Sequence, residues 1–184
     1  MKCLVVAVVL ALGATANKQK FSKEDLRKAL ETDEKLWTLK RNFTRDGESR
    51  PVTCIYDKKI SLEQDEYKFS HHFIVAEDWK QVLLYGTIQE EDEDVVLLIK
   101  EKEAGDKGNK HVLQALNEEK KCFILTYDNA TSGVVQCSLH VPESVATEES
   151  AGGLPCVQLY EKTCKGDTPK TIYTNECRKN PSSP

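Results

Sequence analysis

The chain has 184 residues, 30% of them charged, with 26 basic against 30 acidic side chains and a formal net charge of −4. That balance, without a basic cluster, argues against nucleic acid or an anionic membrane surface as partner. After the first 16 residues no apolar run approaches the ~20 needed to span a bilayer, and the length suffices for one domain with its own core.

Residues 1–16, MKCLVVAVVLALGATA, read as a secretory leader: one basic residue, an apolar run from Cys3 to Leu12, then Ala14-Thr15-Ala16 as a small-x-small cleavage site. Residues 17–184 are then expected to form a single domain. Losing Cys3 leaves Cys54, Cys122, Cys137, Cys156, Cys164 and Cys177. In an oxidising compartment this even set predicts three disulfides, with the pairing left open. No C-x-x-C pair with a nearby His supplies a zinc-ligand set, so neither metal nor cofactor is expected. The sequons Asn42-Phe43-Thr44 and Asn129-Ala130-Thr131 predict glycosylation at Asn42 and Asn129, whereas Pro181 disqualifies Asn180.

In chain order, FSKEDLRKALETDEKL places Ser22 three residues before Asp25 and spaces Leu26 and Leu30 by one turn, predicting a capped helix over Lys23 to Glu31. The period then falls to two. LWTLKRNF puts Trp37, Leu39, Arg41 and Phe43 on one face and Thr38, Lys40 and Asn42 on the other; a glycan on Asn42 would turn the Trp37 face inward. Further strands are expected in VTCIY, in EYKFSHHF (Tyr67, Phe69, His71 and Phe73 together), in WKQVLLYGTIQ, in DVVLLIKEK after the acidic turn QEEDED, and in KHVLQAL, KCFILTY and VVQCSLHV. Eight short strands with polar breaks predict an antiparallel sandwich or an up-and-down barrel rather than βαβ units. After the linker ESVATEESAGGLP, the stretch GLPCVQLYEKTC returns to helical spacing, and KTIYTNEC is expected to add an edge strand ending at Cys177.

This order resembles the tick salivary lipocalins of the histamine-binding-protein family. Similar members run an N-terminal helix into a tryptophan-bearing first strand, here ALETDEKLWTLKRNF, and open the second strand with a cysteine, here VTCIYDKKISLEQDEYKF. They continue with a cysteine-led late hairpin, here CFILTYDNATSGVVQCSLHV, and a cysteine-bearing helix and tail, here CVQLYEKTC and TNEC. The resemblance implies a mainly β fold: an eight-stranded antiparallel up-and-down lipocalin barrel with a short N-terminal helix, a C-terminal helix and three disulfides. It implies the pairs Cys54–Cys177 and Cys122–Cys156, leaving Cys137–Cys164. It also implies a secreted, extracellular, non-enzymatic protein, expected to be a monomer. Such a protein sequesters small host inflammatory mediators (histamine or another biogenic amine, or a lipid mediator such as a leukotriene or fatty acid) and so evades host defence.

An eight-stranded barrel is just wide enough to hold one small ligand or to be filled by side chains. The candidate ligand-lining residues are Trp37, Leu39, Arg41, Phe43, Tyr67, Phe69, His71, Phe73, Phe123 and Ser138, with Tyr127 as an alternative to Phe123. A buried amine needs carboxylates, because an unpaired ammonium loses several kcal/mol of solvation. In amine-binding relatives an acid follows the first cysteine of the late hairpin and a Glu-Leu-aromatic motif lies on the next strand. Here those places read Phe123 and Ser138-Leu139-His140. The remaining candidate carboxylates are Asp57, Glu66, Asp78 and Glu101.

Arg41 fits an anionic partner, such as the carboxylate of a fatty-acid mediator, or else lies over Trp37 at a barrel end, paired with a protein acid or carbonyls. His71 and His72 alternate faces, so at most one enters the barrel. The alternative function is a filled barrel acting on a host immune protein. No G-x-S-x-G, H-E-x-x-H or free Cys-His pattern offers catalytic residues, so no enzyme is expected.

Overall fold

A computed structural model of the chain describes residues 19–44, 51–102, 107–128, 135–147, 155–164 and 170–179. The expected leader and the Asn129 sequon lie outside the described residues. Helix α1 (Lys23–Leu30) starts with a reciprocal cap: the Asp25 amide donates to Ser22 Oγ at 3.3 Å, and the Ser22 amide donates to the Asp25 carboxylate at 2.7 Å. It buries Leu26 and Leu30 and is tied down by a Lys23–Asp65 ion pair and by Arg27 donating to the Gln64 carbonyl.

Eight strands follow: β1 (Leu36–Arg41), β2 (Val52–Glu63), β3 (Glu66–Val75), β4 (Asp78–Glu91), β5 (Asp94–Lys100), β6 (Asn109–Asn117), β7 (Cys122–Asp128) and β8 (Val135–Pro142). Each pairs antiparallel with the next, and β1 pairs with both β8 and β2, which closes the barrel. Two tight turns, Ala76-Glu77 and Asp92-Glu93, use positive φ at both residues, the twist that suits a two-residue hairpin. Of the acidic run Glu90 to Asp94, only Asp92 and Glu93 form the turn; Glu90 and Glu91 end β4 and Asp94 opens β5.

The C-terminal part is helix α2 (Pro155–Thr163), a two-residue strand β9 (Lys170–Thr171) and helix α3 (Glu176–Lys179). The expected edge strand therefore stops well before Cys177, which sits in α3. Strand β9 pairs with β1, and Ile172 bridges the barrel seam: its amide donates to the Leu39 carbonyl and its carbonyl accepts from the Cys54 amide, both at 2.9 Å. The pairs Cys54–Cys177, Cys122–Cys156 and Cys137–Cys164 are all present and staple this segment to the outer wall.

Among the described residues the buried apolar side chains form a small cluster of Val52, Ile55 and Ile172 and two large ones. One lies inside the barrel above α1 and contains Leu26, Leu30, Leu36, Tyr67, Phe69, Leu97, Phe123 and Leu125. The other lies between the outer wall and the tail and contains Trp37, Leu39, Tyr56, Leu139, Tyr160, Tyr173 and all six bridged cysteines.

Two expectations for the first strand are corrected by this arrangement. Trp37 and Leu39 belong to the outer core, not the interior. Thr38 faces His140 while Lys40 faces Leu139, so Leu39 is an extra residue, and this bulge breaks the alternation. Leu36 and Thr38 point inward before it, Arg41 and Phe43 after it. Trp37 instead packs on Tyr56 and edge-on to Tyr173, at 4.8 and 5.1 Å between ring centroids. Asn42 is the second correction. It is 2% exposed, its side-chain NH2 donates to the Val135 carbonyl at 3.1 Å, and its oxygen accepts from the Cys137 amide at 2.6 Å. A side chain held at both ends in the interior has no room for a glycan.

Candidate ligand-binding site

The barrel encloses a cavity of about 360 Å³, within the range of small-molecule sites. Its apolar wall comes from Leu30 of α1 and from Leu36, Phe69, Leu84, Leu97, Phe123 and Leu125. A polar band includes Thr38, Arg41, Asp57, Tyr67, His71, Gln136, Ser138 and His140, and Lys100, Glu101, Asn109, His111 and Tyr127 add polar groups toward the strand ends away from α1.

Alternation along β3 sends Tyr67, Phe69 and His71 inward, and Asp57 stands opposite His71 on β2. The His71 Nδ1 lies 2.6 Å from Asp57 Oδ1, and both side chains are largely buried. Tyr67 stacks on Phe69 at 4.6 Å and faces Gly86 across β3 and β4. A Cβ at Gly86 would lie 2.9 Å from Leu97 Cδ1, which would have to shift, and at an ordinary contact distance of 3.5 Å from the Tyr67 ring. Burial first, and the Asp57 charge second, push the Tyr67 hydroxyl pKa far above its ordinary value, which keeps the phenol neutral.

Across the barrel, Phe123 pairs with His140 and stacks on it at 5.2 Å, and the His140 Nε2 lies 2.8 Å from Ser138 Oγ. Arg41 faces Ser138 across β1 and β8, and its guanidinium lies 5.3 Å from the Phe43 ring.

The cavity thus brings together Arg41, Phe43, Tyr67, Phe69, His71, Phe123 and Ser138 among the sequence-predicted residues, and Tyr127 with them. It does not include Trp37, Leu39 or Phe73. Phe73 packs instead on the small cluster of Val52, Ile55 and Ile172 beside it. Of the four candidate carboxylates, Asp57 and Glu101 reach the cavity, while Glu66 accepts from Thr87 at the surface and Asp78 sits near Lys80. His72 points outward, stacked on Tyr56 at 4.5 Å. Its pKa lies below the ordinary value, chiefly through burial. Gln136 and His140 were legible by counting two residues either way from Ser138; Thr38 was hidden by the bulge. Among the described residues no cluster of His, Cys, Asp or Glu is suited to a metal ion, and no helix is long and apolar enough to cross a membrane.

A closed antiparallel barrel with a helix at one end and a mostly apolar interior cavity defines a lipocalin-type binding protein. A family model described as tick histamine binding protein matches residues 14–179, and the chain belongs to that family. Against curated sequences it finds no match. Solved structures that share the fold include two lipocalin-like proteins. Japanin from Rhipicephalus appendiculatus, bound to cholesterol, has 14% identity and a TM-score of 0.52 over 77% of this chain and 94% of its own. The cockroach major allergen Per a 4 has 12% identity and a TM-score of 0.52 over 83% and 90%. At such identities the likeness shows the fold alone.

Proposed function

We propose that this is a secreted salivary lipocalin that sequesters a small host mediator, and that the ligand is an apolar molecule with an acidic head, of the fatty-acid class, rather than a biogenic amine. One observation carries the preference: Phe123 and Ser138 line the cavity where amine-binding relatives would place acids, while Arg41 stands opposite Ser138 with a fixed positive charge. A carboxylate head at Arg41 would gain charge-assisted hydrogen bonds, and the aromatic and aliphatic wall would take the chain. That a tick protein of this fold is bound to cholesterol supports an apolar ligand in such a barrel. The cavity volume favours a small ligand over the filled-barrel, protein-binding alternative.

Asp57 supports a second reading. It is a carboxylate in the cavity wall, and an ammonium could take the place of His71 beside it. Native mass spectrometry of protein recovered from a secreting cell separates the two. A retained lipid acid is expected; a retained amine, with no lipid, sinks the preferred reading.

A further inference from the structure

We propose that Phe123 is the partition that sets how long a ligand the barrel accepts: its ring divides the barrel cavity from a second cavity beside α1, and an apolar chain entering the barrel ends against it. The proposal rests on the reading of the barrel cavity as a ligand site, but not on the ligand's head group.

The second cavity has a volume of about 280 Å³ and lies between α1, the turn joining β6 to β7 and the end of β8. Ala29, Leu116 and Pro142 give it an apolar lining, and the exposed side chains of Lys28, Glu31, Glu118 and Lys121 give it a charged rim. Among the described residues Phe123 alone lines both this cavity and the barrel cavity. One side chain therefore stands where the two spaces would otherwise run together. The ring is held there. Phe123 is buried, pairs with Leu116 on β6 and His140 on β8, and stacks on the His140 ring with 18° between planes. The residue before it, Cys122, is bridged to Cys156 of α2. A strand paired on both sides and tied by a disulfide cannot yield to a ligand by shifting, and close packing leaves the ring little room to turn. Solvation acts in the same direction. A chain end that passed the ring would leave the dry wall of Leu30 and Leu125 for a cavity with a charged, hydrated rim, so the hydrophobic gain from each added methylene would fall away.

The test is equilibrium titration of the full mature protein with two unbranched series, the saturated fatty acids from octanoic to stearic acid and the matching alcohols. In the native protein each methylene up to the ring should raise affinity about fourfold, and methylenes beyond it should add nothing. Phe123→Ala, or Phe123→Leu where the first fails to fold, should lift that limit, so that the longest chains bind the variant about tenfold tighter than the native protein. Leu125→Ala is the control. Leu125 lies two residues further along β7 and lines the barrel cavity but not the second one, so trimming it widens the first without joining the two, and the native limit should stay. A native series that rises without a limit, or the same limit in the folded Phe123 variants, overturns the proposal. An equal extension in Leu125→Ala also overturns it, because volume rather than position would then decide. If the acids fail but the alcohols bind, the acidic-head reading falls alone, and the alcohols decide the partition by the same comparison. Failure of both series overturns the ligand site and the partition together.

Discussion

Ser138→Glu tests the head-group assignment from the protein side. Ser138 is 9% exposed, faces Arg41 directly across β1 and β8, and its hydroxyl contacts His140. A glutamate there puts a carboxylate against the guanidinium. At about 4 Å and an effective dielectric near 20, the pair attracts by about 4 kcal/mol. Desolvating the new charge offsets most of that, and the lost contact to His140 costs about 1 kcal/mol, so folding stability should move by no more than about 2 kcal/mol. Binding should change far more. A ligand carboxylate that must compete with this new carboxylate for Arg41 loses charge-assisted hydrogen bonds of about 1.5–3 kcal/mol, or roughly 10- to 150-fold in affinity. The assay is titration calorimetry with oleic acid, with oleyl alcohol as the ligand without a charge and Ser138→Gln as the variant of equal volume. Glu should weaken acid binding by that factor while Gln preserves most of it. Equal losses in the Glu and Gln variants would mean that volume, not charge, decides. Retention of acid binding within about threefold in folded Ser138→Glu would refute the role of Arg41.

Three further outcomes follow from the packing. Asn42→Ala leaves the Cys137 amide and the Val135 carbonyl without their side-chain partner and should lower stability by about 2–4 kcal/mol in urea unfolding; a loss below about 0.5 kcal/mol, or a glycan mapped to Asn42, contradicts the interior placement. Replacing Cys54 and Cys177 by Ala opens a link across 123 residues of sequence, which should cost about 5 kcal/mol in a thermal or denaturant melt, and a cost under about 1 kcal/mol would show that the tail is held without it. His72 has a folded pKa depressed below its ordinary 6.5, chiefly by burial. The unfolded chain therefore binds the proton more readily. The contribution is complete above about that value and is lost as pH falls through the folded pKa. Unfolding free energies measured at neutral and mildly acidic pH should fall with acidification, and a His72→Phe variant that falls just as steeply would assign the effect elsewhere.

The helix caps and strand count were legible because they depend on local chemistry: Ser22 and Asp25 cap α1 by their own spacing, and the eight alternating stretches became eight strands. What escaped depends on long-range placement. A bulge at Leu39 is invisible to a count of twos, and it alone moved Trp37 from the expected interior to the outer core. Apolar alternation also cannot say which of two apolar faces is the inside when a tail covers the outer one. Asn42 matched a sequon by pattern, but Cys137 and Val135, nearly a hundred residues away, claimed its amide. Phe123 and Ser138 were readable through the family resemblance, which singled out their places, and the structure then sets both in the cavity wall.

The most direct measurement of the central claim is calorimetric titration of one preparation of the native protein with oleic acid and, separately, with histamine. The account predicts saturable one-to-one binding of the acid at micromolar protein and no heat of binding with histamine. Saturable histamine binding without acid binding would contradict it.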